Sequence, residues 1–188
     1  MKIAVINGSP RRKGTTSTLL DVLVEMLSEQ GHLVERFDLS SLKIEPCNEC
    51  LSCYTREGCT IFDSMLTIYD RLKQADLIVL ATPIFFSGPS AQMKALIDRL
   101  QAFWALKNVL KRKLRSERPK VLGIVVGARN SKIDERNTIS IFKAATDAFD
   151  GDYAGTYSLL TVENPENLPL KPVLKKDLQD FLKKAGVL

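Results

Sequence analysis

Four cysteines are the residues of this chain whose type and spacing most clearly predict chemistry. They are its only cysteines and follow the pattern C-x2-C-x2-C-x5-C. Thiolates two residues apart can turn toward one soft centre, and four of them satisfy a cubane iron–sulfur cluster or a tetrahedral zinc ion. Zinc sites more often pair two C-x2-C knuckles across a longer gap, so this spacing favours iron–sulfur ligation. Metal-free thiols are the remaining alternative. The candidate metal ligands are Cys47, Cys50, Cys53 and Cys59.

A second group of chemically capable residues follows the first apolar run, Ile3–Ile6, which predicts a buried strand. The loop after it is rich in glycines and hydroxyls and leads into an amphipathic helix. A strand, a small polar loop and a helix N-terminus together form an anion site, which predicts a phosphate monoester as ligand. The alternative is an ordinary loop with a Thr or Ser N-cap. The loop residues concerned are Gly8, Ser9, Gly14, Thr15, Thr16 and Ser17.

Two better-known phosphate loops do not match this segment. The P-loop requires a lysine after its second glycine, whereas Gly14 is followed by Thr15. The dinucleotide fingerprint needs three glycines, and only Gly8 and Gly14 are present. Asp38, at about the position of a ribose-binding acid, therefore has no glycine pattern to support that role. The loop is predicted to bind a monophosphate through hydrogen bonds, without a dedicated metal.

A second loop of interest follows the wholly apolar strand predicted at Leu77–Ala81. Its sequence, TPIFFSGPSAQMKALIDRL, combines an extended proline segment, two aromatic rings and small residues with accessible backbone amides. A planar ring system with polar edges needs flat apolar surface beside such amides. The alternative is a tight connection with Phe85 and Phe86 in the core. Together the two loops favour a flavin whose phosphate lies at the first loop and whose ring lies at the second.

The elements that must position these loops alternate regularly along the chain. Strands that are apolar on both faces and separated by helices indicate a parallel sheet covered on both sides. We therefore predict an α/β, flavodoxin-like three-layer sandwich whose five-stranded parallel sheet has the order 2-1-3-4-5, with the ligand at the carboxyl ends of strands one and three. The predicted strands are Ile3–Ile6, Leu33–Leu39, Leu77–Ala81, Val121–Val126 and Gly155–Val162, and helices are predicted near 16–30, 64–74, 93–104, 139–149 and 172–182.

Composition limits the size, location and partners of the protein. A length of 188 residues with 45% hydrophobic content predicts one domain, 1–188, with a cysteine-motif loop at about residues 44–62. No run is long enough to span a membrane and the first apolar run is too short for a signal peptide, so we expect a cytoplasmic protein without a membrane partner. In a reducing compartment the cysteines are not expected to form disulfides. A net charge of +5, with few aromatics in the basic segment 107–120, does not favour nucleic-acid binding.

The segments NGSPRRKGTTSTLL and TPIFFSGPSAQMKALIDR resemble the NAD(P)H-dependent FMN reductase family of the flavodoxin-like superfamily, over essentially the whole chain. The resemblance implies FMN as cofactor, with the loop Gly127–Asn130 near the far side of its ring. The cysteine motif also resembles that of the iron–sulfur flavoproteins, a subgroup that binds a 4Fe-4S cluster beside FMN. The implied phosphate contacts are Ser9, Arg11, Thr15, Thr16 and Ser17, and the implied ring contacts are Pro83, Ile84, Phe85, Phe86 and Ser87.

The resemblance implies an FMN-dependent oxidoreductase whose chemistry is carried by its cofactors, which agrees with the lack of any visible catalytic triad or carboxylate pair. We expect electrons to pass between a 4Fe-4S cluster and FMN, and on to a small acceptor such as oxygen, peroxide or a quinone. The expected donor is a ferredoxin-type protein or NAD(P)H, and the expected assembly is a homodimer or a dimer of dimers. Two alternatives remain: an NAD(P)H-dependent FMN or quinone reductase without a cluster, and a non-catalytic flavodoxin-like module stabilised by zinc.

Overall fold

A parallel β-sheet lies at the centre of the computed structural model, which describes residues 1–188. Its strands are β1 (Lys2–Asn7), β2 (Leu33–Asp38), β3 (Leu77–Phe85), β4 (Gly88–Pro89), β5 (Lys120–Gly127) and β6 (Asp152–Leu160). Five of them are parallel in the order β2-β1-β3-β5-β6, which confirms the predicted topology. The prediction of five strands was one short, because β3 continues to Phe85 and then turns back as a hairpin with the two-residue strand β4.

Six helices cover the two faces of this sheet. They are α1 (Thr15–Glu29), α2 (Met65–Gln74), α3 (Ala91–Arg99), α4 (Gln101–Asn108), α5 (Lys132–Ala148) and α6 (Lys171–Lys184). The segment predicted as one helix near 93–104 is two helices that meet at Leu100. There the backbone bonds tighten to three-residue spacing, from the Leu100 amide to the Ile97 carbonyl and from the Phe103 amide to the Leu100 carbonyl. No helix is both long enough and apolar enough to cross a membrane.

Two hydrophobic cores lie on opposite sides of the sheet. Successive residues of the central strand β3 point to opposite faces of the sheet and so pack into different cores. Ile78 and Leu80 pack against α2–α5, whereas Leu77 and Val79 pack against α1 and α6. Burial of each such side chain contributes about 1.5–3 kcal/mol to folding. Strands that are apolar on both faces therefore produce the predicted three-layer sandwich.

Strand register places the loops of interest at one edge of the sheet. Asn7, at the end of β1, lies opposite Asp38 on β2 and Ala81 on β3, and Ala81 lies opposite Ile124 on β5. Because these strands are parallel, the chain leaves β1, β3 and β5 at the same edge. The candidate phosphate loop and the candidate ring loop are neighbours for this reason.

Candidate functional site

A cavity of about 440 Å³ opens where the loop after β1 meets the end of β3. Seven of the ten predicted flavin contacts line it: Ser9, Arg11, Thr15, Thr16, Pro83, Ile84 and Phe85. The chain after β5 contributes Ala128, and the chain after β6 contributes Val162 and Glu163. Ser17, Phe86 and Ser87 do not line the cavity. The two loops that the sequence singles out thus form one concave site.

The first turn of α1 gives this cavity the character of an anion site. The backbone amides of Thr15, Thr16 and Ser17 have no hydrogen-bond acceptor in the chain, although all three residues are buried. The N-cap residue, Gly14, has no side chain that could satisfy them. Such free amides together with the positive end of the helix dipole favour a bound anion. A phosphate group fits this requirement.

The hydroxyls of the loop have different tasks. The Ser17 hydroxyl donates to the carbonyl of Arg11 at 2.9 Å and accepts from Asn7 Nδ2 at 2.9 Å. It therefore connects the loop to the end of β1. The Thr15 hydroxyl donates to the carbonyl of Glu163 at 3.0 Å. The Thr16 hydroxyl makes no hydrogen bond within the chain and lines the cavity. Thr16 is therefore the hydroxyl best placed to contact a ligand.

Asn7 holds the loop to the sheet and was not singled out by the sequence. It is 1% exposed. Its Nδ2 donates to Ser17 Oγ and to Asp38 Oδ1, at 2.9 and 2.6 Å, and its Oδ1 accepts from the Ser9 amide at 3.0 Å. The sequence signal that could have identified Asn7 is its place as a polar residue at the end of an otherwise apolar strand. Asp38 thus has a structural partner at the end of β1.

Ser90 connects the phosphate loop to the ring loop and was also missed. Its side chain is fully buried and caps α3 by accepting from the Met93 amide at 3.2 Å. The same hydroxyl donates to the carbonyl of Gly8, and the Ser90 amide donates to Thr82 Oγ1 at 3.0 Å. A serine before an amphipathic segment is an N-cap signal, but its second contact depends on the tertiary fold.

Replacement of Ser90 by alanine should lower the free energy of unfolding by about 1 kcal/mol, the usual value of an N-cap, and should also weaken FMN binding. Ser131→Ala is the matched control, because Ser131 caps α5 by accepting from the Asp134 amide but does not contact the phosphate loop. Urea denaturation measures the first effect and quenching of flavin fluorescence measures the second. Equal FMN affinity in both variants would contradict a linking role for Ser90.

The hairpin tip between β3 and β4 carries the two remaining ring-loop residues. Phe86 and Ser87 have φ values of +45° and +65°, a conformation that two-residue hairpins favour for Asn-Gly and that strains a bulky side chain. Phe86 is fully exposed, and Phe85 is 45% exposed, so the alternative that places both rings in the core is wrong. The Ser87 hydroxyl donates to Asp134. Contacts of Phe86 and Ser87 with a flavin stay predictions.

The four cysteines line a second cavity, also of about 440 Å³. It lies between the cysteine-motif loop and the junction of α3 with α4, which contributes Arg99 and Gln101. All four thiols are free; two are exposed and two are half-buried. Glu49 and Leu51 both have φ of +56°, so the chain turns sharply within the motif. The fold thus collects four thiols on the wall of one cavity.

The donor set of this cavity fits a soft metal centre in its chemistry. Four thiols are the ligands of iron–sulfur clusters and of structural zinc. No three of the His, Cys, Asp and Glu side chains of the chain stand close enough together to hold a metal ion. The cysteines therefore share a cavity without forming a coordination shell, and the identity of a bound centre is a matter for the proposal below.

The thiols of Cys50 and Cys53 differ in acidity. Hydrogen bonds from Ser52 and from Thr60 lower the pKa of Cys50 to about 7. Burial raises the pKa of Cys53, and the neighbouring cysteines raise it further. In metal-free protein at neutral pH, Cys50 therefore carries more of the thiolate form than Cys53 does.

Iodoacetamide should therefore alkylate metal-free protein at Cys50 before it alkylates Cys53. The rate should rise as the pH passes through about 7, because the thiolate is the nucleophile. Cys53 should react only at higher pH, and in urea the two thiols should react alike. Peptide mass mapping after timed quenching makes the measurement. Ser52→Ala is the control, since loss of its hydroxyl, the largest cause, should raise the pKa of Cys50; the same pH profile in that variant would refute the assigned cause.

The fold is flavodoxin-like, and its first cavity carries free backbone amides where the loop after the first strand enters α1. The model of the NADPH-dependent FMN reductase family matches residues 1–150, and the chain belongs to that family.

Several curated relatives carry the name iron-sulfur flavoprotein. One protein of Archaeoglobus fulgidus is 44% identical over 103 residues, which are 55% of this chain and 52% of that protein. The protein of Methanocaldococcus jannaschii is 37% identical over 99 residues, 53% and 51% of the two chains. The protein of Methanosarcina thermophila is 34% identical over 99 residues, 53% and 52% of the two chains. The chain thus matches about half the length of these curated relatives.

Solved structures share the fold over nearly the whole chain. The Trp repressor binding protein from Bacillus subtilis superposes with a TM-score of 0.60 at 23% identity, covering 99% of this chain and 98% of that one. An FMN-dependent NADH-azoreductase from Bacillus anthracis, in complex with FMN, gives 0.63 at 14% identity with the same coverage. At these identities the likeness shows the fold alone.

Proposed function

We propose that this protein is an FMN-dependent oxidoreductase and electron-transfer flavoprotein with a 4Fe-4S cluster on its four cysteines as a second redox centre. The observation that carries the flavin part is the shared cavity, in which unpartnered amides at the start of α1 face the same space as Pro83, Ile84 and Phe85 of the ring loop. A phosphate at one end and a planar ring at the other is the outline of FMN. Membership of the FMN reductase family supports this choice of cofactor.

The residues of the cavity bind and orient FMN. The amides of Thr15 and Thr16, which line the cavity, would hold the phosphate, and the Arg11 guanidinium, which donates to the Glu163 carbonyl at 3.1 Å, would supply a positive charge at the rim. Phe85 contributes flat apolar surface at the other end. When bound, FMN supplies hydride and single-electron chemistry, so the chain needs no acid–base pair.

The lack of room for a side chain at Gly8 and Gly14 supports this assignment of the phosphate loop. A Cβ on Gly8 would approach Met93 Cβ to 2.7 Å and the Ala81 carbonyl to 3.2 Å, and a Cβ on Gly14 would approach Arg11 Cβ to 2.9 Å. The loop can therefore pass close to α3 and fold back on itself only with glycine at both places. That compact path is what brings the free amides of α1 to the cavity.

The cysteine cavity supports the second part of the proposal. Cys47, Cys50, Cys53 and Cys59 would hold the cluster, which supplies single-electron chemistry. The names of the relatives suggest the same centre. We further propose a ferredoxin-type protein or NAD(P)H as donor, a small acceptor such as oxygen, peroxide or a quinone, and a homodimer or dimer of dimers as the assembly.

A second candidate function is an NAD(P)H-dependent FMN or quinone reductase without a cluster. The observation in its favour is that no three potential ligands are close enough together to coordinate a metal ion. In that case the cysteines have no redox role. The flavin site would be the same in both candidates, so only the content of the cysteine cavity separates them.

Anaerobic purification followed by flavin, iron, sulfide and zinc quantitation tests the proposal. We expect FMN together with equal amounts of iron and sulfide, and a broad visible absorption beneath the flavin bands. Cys53→Ser should lose iron and keep FMN, whereas Thr55→Ala, within the motif but not on the wall of the cavity, should keep both. Flavin without iron, with rapid NADPH oxidation, would select the second candidate. Zinc with an unreactive flavin would instead indicate a zinc-stabilised, non-catalytic module.

A further inference from the structure

Arg99 is a charged side chain buried beside the cysteine cavity. It is the last residue of α3, it is 1% exposed, and it lines that cavity together with all four cysteines. A guanidinium is almost never fully buried unless its charge is paired and its hydrogens have acceptors. Each of its N–H groups therefore needs an acceptor.

Most of the donors of Arg99 are used to close the cysteine-motif loop. Nη1 donates to the Glu45 carbonyl at 2.8 Å and Nη2 donates to the Ile61 carbonyl at 3.2 Å. These carbonyls lie before the first cysteine and after the last one. One side chain thus joins both ends of the motif.

The charge of Arg99 is balanced by Asp63. Nη1 and Nη2 of the guanidinium donate to the two carboxylate oxygens at 2.8 and 3.3 Å. The same carboxylate accepts from the amides of Glu45 and Met65, both at 2.9 Å. The carboxylate is therefore satisfied within the loop, and the pair brings no net charge to the cavity.

Of the three guanidinium nitrogens of Arg99, only Nε has no hydrogen-bond partner. Nε is buried and has no hydrogen-bond acceptor within the chain. An unsatisfied buried donor is costly, and in a native structure it is explained by strain, a redox or catalytic role, or a water or ion at the site. Arg115 Nε also has no partner, but only Arg99 lines the cavity that holds the cysteines. The cavity that Arg99 lines offers sulfur atoms as acceptors, and thiolate sulfur accepts where a neutral thiol does so only weakly.

We propose that the Nε–H of Arg99 donates a hydrogen bond to a sulfur atom of the centre held by the four cysteines and thereby raises its reduction potential. The inference rests on the proposed function, since it needs that centre. One-electron reduction adds negative charge to the sulfurs without forming or breaking a bond, so a donor fixed beside them stabilises the reduced form more than the oxidised form. Arg99 is thus a positioning residue for the cysteine centre.

Arg99→Lys tests the proposal, because lysine keeps a positive charge for Asp63 but has no Nε–H. We measure the midpoint potential by spectroelectrochemistry, together with iron and sulfide content. With iron retained, the midpoint should move to a more negative value, with about tenfold less of the centre reduced at a fixed potential, or about 59 mV for one electron. Arg71→Lys is the control, since Arg71 pairs with Glu35 away from the cysteine cavity. A full iron content with an unchanged midpoint would overturn the inference and leave the proposed function intact.

A measurement on the unaltered protein covers the case in which the variant does not fold or load. Protein labelled with ¹⁵N at arginine Nε is reduced, and pulsed EPR records the couplings to its centre. We expect the coupling of one nitrogen, together with a proton that exchanges in deuterated buffer. A loaded, reduced centre without that coupling would overturn the inference, whereas protein that takes up no iron would overturn the proposed cluster and the inference with it.

Discussion

Asp63→Ala should lower the free energy of unfolding by about 3–5 kcal/mol, because it leaves the Arg99 guanidinium buried without its counter-charge. The two side chains are 1% and 0% exposed. The same substitution removes the acceptor of the Glu45 and Met65 amides, so the start of the cysteine-motif loop should also loosen. Urea denaturation of the metal-free protein makes the measurement.

Asp98→Ala is the matched control, because Asp98 lies on α3, the helix that carries Arg99. Asp98 pairs with Lys94 at 2.7 Å, but both side chains are over 40% exposed, and such surface pairs contribute about 0.3–0.5 kcal/mol. The double variant Asp63→Leu with Arg99→Met should recover part of the loss, since no buried charge remains. A loss at Asp63 no larger than that at Asp98 would mean that the buried pair does not stabilise the fold.

The same pair gives the stability a dependence on pH. Burial alone raises the pKa of Asp63, but the hydrogen bonds from Arg99 and from two amides hold it below its ordinary value. A lowered folded-state pKa means that the contribution is complete above the unfolded value, about 4, and is lost as the pH falls through the folded value. Asp63→Asn should therefore make the unfolding free energy less sensitive to acid below about pH 4.

Thr16→Asp should raise the dissociation constant of FMN by about 100-fold or more. The new carboxylate would stand beside the free amides of α1, in the space that the phosphate needs, and like charges in contact cost several kcal/mol. A negative charge in the first helical turn interacts favourably with the helix dipole, so the variant should still fold. Flavin fluorescence titration of the apoprotein measures the affinity.

Two controls separate phosphate repulsion from general damage. Thr18→Asp places the same charge on α1 at a residue that does not line the cavity, and it should change FMN affinity far less. Riboflavin, which lacks the phosphate, should bind the Thr16→Asp variant nearly as well as the unaltered protein. If riboflavin and FMN lose affinity equally, the phosphate does not lie at the start of α1.

The sequence predicts the architecture well because each strand carries its own signal. Apolar runs such as Leu77–Ala81 are buried on both faces, and the amphipathic segments between them can only cover the sheet. The errors fall where local pattern competes with tertiary geometry. The break at Leu100 leaves the apolar periodicity intact. The tip of the β3–β4 hairpin is Phe86-Ser87 and not the Asn-Gly, Asp-Gly or Gly-Gly pair that marks such hairpins in a sequence.

The candidate site follows the same division. The glycines and hydroxyls of the phosphate loop are readable because the chemistry lies within one short segment. Ser90 and Arg99 are not readable as site residues, since each acts on a loop that is distant in sequence. Ser17 shows the converse case: its position predicts a phosphate contact, but its hydroxyl is already bonded on both sides by Asn7 and Arg11.

Helix α3 begins at the cap that bonds to Gly8 and ends at Arg99 beside the cysteines. Its nine residues rise about 13.5 Å. A rigid helix of fixed length therefore joins the loop after β1, at the first cavity, to the thiol wall of the second cavity. Insertion of a single residue within it would rotate Arg99 by about 100° about the helix axis relative to Ser90. The separation of the two cavities is accordingly set by the length of α3.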